Sequence, residues 1–316
     1  KEKNKLPVTI LANRYNTLQA RVAKILGAPT VPGYGYGSIV SSSPVYRYSI
    51  TDDQYINLYK DIVRIDAHQN GESSITIDPF VVGNFNSNPS ADKIEEAYIA
   101  GLESEVNTLD VNRFSIAASQ LQIDILRNVS NLQISSTRSL QWRNTISHIF
   151  TVDFGTSSNR NAFFNAGGQI RPELALNYTG GESKTISWQV LFNTIGAIKI
   201  AGSSTRDSQN SGSNLGLVNC NASSYTRLYQ SASAQAYSNN LVTIDAKLVG
   251  SANASKIQIK VNCQDSHGEN IDEYVRGATT GTVFTAIPDG TVQIGSSILD
   301  TVVYSGNLLG STITSF

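Results

Sequence analysis

The chain of 316 residues contains no methionine, two cysteines and three histidines. Two cysteines are too few for a disulfide framework, and they exclude a zinc site built from cysteine alone. We therefore expect Cys220 and Cys263 to be reduced and to behave as small buried hydrophobic residues. The lack of a methionine even at position 1 indicates that the first residue or a longer leader has been removed.

Charge is also sparse. Charged residues make up 16% of the chain, the formal net charge is -1 and the pI is about 6.4. Because this balance creates no basic field for a polyanion, we expect no nucleic-acid partner. No apolar run approaches the roughly 20 residues that span a bilayer, so we expect no membrane partner either.

The sequence contains no familiar catalytic or metal-binding motif. The spacings HExxH, GxSxG and CxxC and the Walker-type loop do not occur, and the three histidines lie far apart. An acidic run after Cys263 lacks the twelve-residue pattern of a calcium loop, which favours a solvated turn. Its members are Asp265, Glu269, Asp272 and Glu273. We predict no cofactor, no metal and no enzymatic activity, although two distant carboxylates for glycoside hydrolysis stay an alternative.

Two segments near the start of the chain have apolar residues at helical spacing. Tyr15 and Tyr55 occupy equivalent positions of a repeat of 40 residues (55 minus 15). The first helix is predicted to end at Gly27, and Thr51 is predicted to cap the second. This pattern predicts a duplicated helical assembly segment over residues 1–72. A loop and a third helix over 73–120 are predicted to follow, with Ser90-Ala91-Asp92 as the cap and an apolar stripe at Ile94, Tyr98, Leu102, Val106 and Leu109.

Short helices with an apolar stripe must bury it, on each other, on the rest of the chain or on another subunit. The segment Gly33-Tyr34-Gly35-Tyr36-Gly37 follows no predicted strand, so a phosphate-binding loop is disfavoured. We predict that this segment packs on a neighbouring chain or on the helices. The predicted assembly and interface residues are Tyr15, Leu18, Val22, Tyr34, Tyr36, Tyr55, Leu58 and Ile62.

From residue 121 the sequence changes to alternating apolar residues separated by Ser, Thr, Asn and Gly, which predicts strands. The expected fold class is α+β, with N-terminal helical segments and a mainly antiparallel β-sandwich body over 121–316. One helix is predicted at 183–196. The predicted strands cover 145–154, 169–178, 197–202, 224–230, 240–249, 256–264, 281–286 and 298–304.

One segment stands out in this body. Phe150, Val152 and Phe154 alternate with polar residues, which predicts a half-buried strand. Ser157 or Ser158 is predicted to cap a short helical turn whose paired Phe163 and Phe164 reach back into the core. The glycine pair after it is predicted to allow a reversal into a new strand. The residues of this fold signature are Phe163, Phe164, Asn165, Gly167, Gly168 and Arg171. Arg160 and Arg171 flank it and are expected to pair with carboxylates or backbone carbonyls at a subunit seam.

The sequence FFNAGGQIR at 163–171 resembles a signature of structural proteins in the virions of tailed bacteriophages, where it follows a strand similar to THTVTVTF. The words YNTL at 15–18, ITDDQYINL at 50–58 and HQNG at 68–71 are similar to the family's YNTLR, ISATQWNNLRTDI and HQTG. The likeness covers most of residues 8–286. It departs at Tyr55, where the family often has tryptophan, and at 172–174, where the family has a serine-rich stretch.

The resemblance implies a virion component of the tail, neck or collar, baseplate or fibre attachment, assembled in the host cytoplasm. It implies a homo-oligomer with trimer- or hexamer-related symmetry that contacts other tail or neck proteins. A second interpretation is a receptor-binding module that stacks tyrosines on host glycans. Its candidates are Tyr34, Tyr36, Tyr46, Tyr48, Tyr225 and Tyr229. A third interpretation is a tail-associated enzyme that degrades glycans.

Overall fold

Three helices form the N-terminal part of the fold. The computed structural model describes residues 12–29, 31–46, 50–71, 73, 75, 96–115, 121–122, 133–233, 237–266, 274–288 and 303–310. Helices α1 (Ala12–Leu26), α2 (Asp52–Asn70) and α3 (Glu96–Val111) pack on one another in all three pairings. Together with the connecting loop 31–46 they make up what we call the helical module.

The predicted helix ends are confirmed where they can be seen. Gly27 N donates to Ala23 O just after α1 ends, and Thr51 and Gln54 form a reciprocal capping box at the start of α2. The predicted cap of the third helix and Ile94 lie outside the described residues. In α3 the stripe includes Ile99, which is fully buried, instead of the partly exposed Tyr98.

Two antiparallel sheets form the body. In the first sheet β11 lies between β4 and β1 and also pairs with β2, and the order continues from β4 through β5 and β6 to β7. The second sheet has the order β12-β3-β10-β9-β8. The strands are β1 (Leu121–Gln122), β2 (Gln133–Arg138), β3 (Thr145–Asp153), β4 (Gln169–Asn177), β5 (Lys199–Ile200), β6 (Thr205–Arg206), β7 (Gly212–Ser213), β8 (Thr226–Ala232), β9 (Leu241–Leu248), β10 (Lys256–Gln264), β11 (Ala278–Pro288) and β12 (Val303–Gly310).

Strand β10 buries every second residue, as its sequence predicts, and much of β3 and β9 follows the same alternation. Phe150 of β3 lies opposite Ile259 of β10, and both are fully buried. The two sheets approach closely where Gly281 of β11 meets His148 of β3, because a Cβ on Gly281 would lie 2.8 Å from His148 Cγ. Two further helices, α4 (Ser157–Asn165) and α5 (Ser183–Ile195), interrupt the strand order.

The predicted α+β class, with helices first and an antiparallel β body after them, is confirmed. The helix at 183–195 and the four strands β3, β4, β9 and β10 agree closely with prediction. Strand β2 was not predicted, because its sequence QISSTR holds a single apolar residue and shows no alternation. Among the described helices, none is both long and apolar enough to cross a membrane.

Candidate functional site

Asn165, the last residue of α4, holds the loop Val31–Gly37 against the β body. Its side chain is 1% exposed, and Oδ1 accepts a hydrogen bond from Gly33 N at 2.7 Å. Nδ2 donates to Val31 O and Gly35 O, each at 3.2 Å, and also to Tyr34 O. One side-chain amide therefore contacts four backbone groups of this loop, with the two Nδ2 hydrogens shared among three carbonyl groups. We call this contact the Asn165 clasp.

Helix α4 begins at a threonine cap and packs two phenylalanines into the core. Thr156 Oγ1 accepts from Asn159 N at 3.0 Å, so Thr156 caps α4 and the predicted cap at Ser157 or Ser158 is wrong. Phe163 and Phe164 are buried against Phe154, with ring centroids 5.1 and 5.6 Å away, as predicted.

Two glycines then make the turn after α4 possible. Gly167 adopts φ +90°, which L side chains rarely do. A Cβ on Gly168 would lie 2.5 Å from Phe163 O. The predicted reversal at this glycine pair is confirmed, and it leads directly into β4.

A buried histidine adds a second contact between the helical module and the β body, and a buried tyrosine bonds the loop to the helices. His68 Nε2 donates to Ala166 O at 2.8 Å, and burial lowers the pKa of His68 to about 4, so the ring is neutral at ordinary pH. Tyr36 OH donates to Arg113 O at 2.9 Å and accepts from Gln69 Nε2 at 3.0 Å. Burial raises the pKa of Tyr36. The contacts of His68 and Tyr36 are thus directional hydrogen bonds that involve only neutral groups and backbone.

Tyr34 lies half-buried at the outer side of the same loop. Lys24 Nζ is 3.6 Å from its ring centroid and Arg113 Cζ is 4.4 Å from it. Arg113 Nε also donates to Gly33 O at 2.8 Å. The sequence predicts that this loop packs either on a neighbouring chain or on the helices. The structure brings the loop onto the helices and α4 of its own chain.

A cavity of about 140 Å³ adjoins the clasp, and its lining includes Pro32, Arg160, Asn161, Phe164, Leu217 and Cys220. Arg160 is 5% exposed, with Nη2 donating to Asn161 Oδ1 at 2.9 Å and Nη1 donating to Ala254 O. Burial raises the pKa of the Cys220 thiol to about 12, so the thiol is uncharged. This lining indicates a structural role for the cavity, because the buried guanidinium is hydrogen-bonded to neutral acceptors and the thiol beside it is unreactive.

The two arginines that flank the fold signature form hydrogen bonds within the chain. Arg160 does find a backbone carbonyl, but that carbonyl is Ala254 O of the same chain. Arg171 is 6% exposed and donates to Gln169 Oε1 at 2.8 Å. Both guanidinium groups are buried within the chain, so they are not available at its surface.

The predicted assembly residues are mostly covered by the packing of the chain itself. Seven of them are at most 1% exposed, because the three helices and the loop bury one another's stripes within a single chain; they are Tyr15, Leu18, Val22, Tyr36, Tyr55, Leu58 and Ile62. Tyr34 alone keeps partial exposure. Among the described residues the most exposed large apolar side chains are Tyr46, Ile39, Val111 and Leu140, at 92, 80, 79 and 68%.

The predicted solvated acidic turn is also wrong at its first residue. Asp265 is buried, and Lys184 Nζ lies 2.6 Å from its Oδ2. Glu269, Asp272 and Glu273 lie outside the described residues, as does His267. Within the described ranges no three His, Cys, Asp or Glu side chains come together in a way that could hold a metal ion. The sequence analysis missed Lys184, since nothing local distinguishes a buried lysine on a helix from an exposed one.

The tyrosines proposed for glycan stacking are dispersed. Tyr36 and Tyr229 are buried, and Tyr229 OH donates to Asp207 Oδ2 at 2.8 Å. Tyr225 OH donates to Gln258 Oε1 at 2.6 Å on the second sheet. Tyr46 is 92% exposed, and Tyr48 lies outside the described residues. The two buried tyrosines cannot stack on a sugar, so that part of the second interpretation is wrong.

The chain matches no protein-family model, no curated protein and no solved structure. Its resemblance to phage virion proteins therefore depends on short sequence words alone. The architecture is defined by the chain's own helix packing and strand pairing.

Proposed function

We propose that the chain is a structural component of a tailed-phage virion, in the tail, neck or collar, baseplate or fibre attachment. It acts by symmetric homo-oligomeric assembly, with trimer- or hexamer-related symmetry, and by contacts with neighbouring tail or neck proteins. The Asn165 clasp carries this proposal. Two of the sequence words behind the resemblance, HQNG and FFNAGGQIR, join the helical module to the β body through His68 and Asn165.

A structural protein that links its neighbours in an assembly needs its own modules to be fixed relative to one another. The clasp and the His68 contact with Ala166 O supply directional hydrogen bonds in a buried setting, which define one geometry more sharply than apolar packing alone. Contact surfaces must then come from exposed apolar side chains. Ile39 and Tyr46 of the loop and Val111 at the end of α3 replace the buried stripe residues in this role.

The decisive test is the protein composition of purified particles of the phage that encodes this chain. Quantitative mass spectrometry should find the chain in a fixed ratio to the major capsid protein, which serves as the internal standard. Antibody labelling in the electron microscope should place it at the tail or neck. Particles that lack the chain would contradict the proposal.

The contact surface can be tested by complementation with a double variant, Ile39→Ser with Tyr46→Ser. Both side chains are exposed, so we expect a folded chain with much reduced incorporation into particles. Val190→Ser, at a 40% exposed position on α5, is the matched control and should be incorporated normally. If the wild type, the double variant and the Val190→Ser control are incorporated equally, the loop is not part of the contact surface.

Recognition of a host glycan is a second candidate function, and the exposure of Tyr46 is the observation that favours it. Binding of the purified chain to host cells, measured by flow cytometry, should then be lost in Tyr46→Ala. Tyr225→Phe, which keeps the ring on the second sheet, is the control. A chain that does not bind host cells would eliminate this candidate.

A further inference from the structure

Helix α5 carries a buried lysine that faces a buried carboxylate. The side chains of Lys184 and Asp265 are 3 and 1% exposed, and Lys184 Nζ lies 2.6 Å from Asp265 Oδ2. The two residues come from opposite parts of the sandwich. Lys184 is on the helix that follows β4 of the first sheet, and Asp265 comes directly after β10 of the second.

Asn240 occupies the other oxygen of the same carboxylate. It is fully buried and directly precedes β9. In the amide orientation that satisfies its neighbours, Nδ2 donates to Asp265 Oδ1 at 3.1 Å and Oδ1 accepts from Trp188 Nε1 at 3.0 Å. One carboxylate thus bridges an amine and a carboxamide nitrogen, while an indole N–H polarises the carboxamide carbonyl.

The surroundings of these groups are buried and aromatic. Trp188 is fully buried, with ring centroids 5.1 Å from Trp142 and 5.5 Å from Phe192. Removing two charges from water is costly, and a chemical step that eliminates both charges relieves that cost. A neutral amine is also the nucleophilic form of lysine.

We propose that Lys184 and Asn240 form an intramolecular isopeptide bond, with Asp265 as the proton carrier. Lys184 passes one proton to Asp265, and the neutral Nζ attacks Asn240 Cγ to form a C–N bond. Trp188 Nε1–H stabilises the developing oxyanion.

Asp265 then gives its proton to the leaving nitrogen and takes a second proton from Nζ. The original C–N bond of the carboxamide breaks and ammonia leaves. An ammonium, a carboxylate and a carboxamide become a secondary amide, a neutral carboxylic acid and ammonia, without any oxidant or reductant. The step occurs once per chain and is not turnover of a substrate.

The bond would tie α5 covalently to the start of β9. Pulling the two sheets apart at this end would then require breaking a covalent bond as well as the packing between the sheets. This inference does not depend on the proposed virion function, since it follows from the groups around Asp265.

The test is the intact mass of the purified full chain. We expect a mass lower than that of the linear sequence by one ammonia, and a branched tryptic peptide that contains both Lys184 and Asn240. Lys184→Met and Asp265→Ala should each have the linear mass. Lys256→Met, which removes the half-exposed partner of Asp153, should keep the ammonia loss. The wild-type measurement decides the matter even if a variant fails to fold.

Three results would overturn the proposal. The first is a wild-type chain with the linear mass. The second is a loss of water with a branch between Lys184 and Asp265. The third is a loss of ammonia without any branched peptide, which would indicate cyclisation of an asparagine.

Discussion

The helical module and the β-sandwich use their buried polar side chains differently. In the helical module several of these side chains bond to the backbone of the connecting loop: Asp61 Oδ2 accepts from Ser42 N at 2.7 Å, and the half-buried Asn16 exchanges hydrogen bonds with the backbone of Val45 at 2.7 and 2.9 Å. In the sandwich several of them bond to each other. Examples are Trp142 with Thr279, Tyr229 with Asp207 and Lys184 with Asp265.

The difference follows from where backbone groups are left unpaired. Helices satisfy their own backbone except at the ends, so the irregular loop 31–46 needs partners from helix side chains. Strands satisfy one another by pairing, so fewer free backbone groups are left between the sheets and buried polar side chains there often bond to other side chains. Contacts to backbone depend on the identity of one residue, and contacts between side chains depend on two. The Asn165 clasp follows the first pattern although it lies on α4.

The largest effect should come from Asn165→Ala. The change removes the acceptor of the buried Gly33 N and the amide donor that the carbonyl groups of Val31, Tyr34 and Gly35 share, so we expect the free energy of unfolding to fall by about 3–5 kcal/mol. Chemical denaturation measures the loss, and limited proteolysis should detect faster cutting near residues 31–37. Asn193→Ala, an exposed helical position, is the control and should change stability little. A loss under about 1 kcal/mol would show that the loop does not depend on the clasp.

The two buried histidines should make stability depend on pH. Burial lowers the pKa of His68 and of His148 from 6.5 to about 4, so the folded chain resists protonation that the unfolded chain accepts. Their contribution is complete above pH 6.5 and is lost as the pH falls from 6.5 to 4. Each histidine should account for a loss on the order of 3 kcal/mol.

Denaturation curves from pH 7.5 to 4 check this slope, and the variants divide it between the two regions. His68→Gln should remove the part of the pH-dependent loss of stability that comes from the helical module. His148→Gln should remove the part that comes from the sandwich. Glu103 and Asp153, whose carboxyl pKa values are lowered by their partners, act at lower pH than the histidines. A wild-type slope unchanged in both variants would refute the assignment.

Thr279→Val should have a smaller effect. Trp142 Nε1 loses its acceptor at 2.9 Å, and we expect about 1–2 kcal/mol of destabilisation. Because both partners are side chains, the double variant Trp142→Phe with Thr279→Val should be less unstable than the sum of the single variants. Thr279→Ser keeps the hydroxyl group and is the control. Simple additivity would contradict a pairwise contact in the sandwich.

The smallest effect belongs to a surface pair in the helical module. Arg14 and Glu103 join α1 and α3 through two contacts of 2.7 Å, and both side chains are about one-third exposed. A double-mutant cycle with alanine should give a coupling of about 0.5–1 kcal/mol that shrinks in high salt. A coupling that persists at 1 M salt would mean that the pair is more enclosed than its exposure indicates.

Much of the architecture could be predicted, because it depends on repeated patterns. Val22 and Ile62 lie on apolar stripes whose spacing predicts helices, and the alternation from Lys256 to Gln264 predicts β10 to the residue. The aromatic and glycine roles in the FFNAGGQIR segment were also predicted correctly. The sequence leaves open whether the stripes pack on each other, on the rest of the chain or on another subunit, and the structure shows that they are buried within the chain.

The sequence alone determined the positions of most of the helices and strands, because each of these elements sums many weak local preferences along the chain. Only the tertiary structure decided that Asn165 holds the backbone of the loop at 31–37, and that Lys184, Asp265 and Asn240 meet. These contacts join residues distant in sequence, and each depends on one or two side chains without a periodic signal. Burial of a polar group is set by what packs over it, and that is decided when the helices and sheets come together.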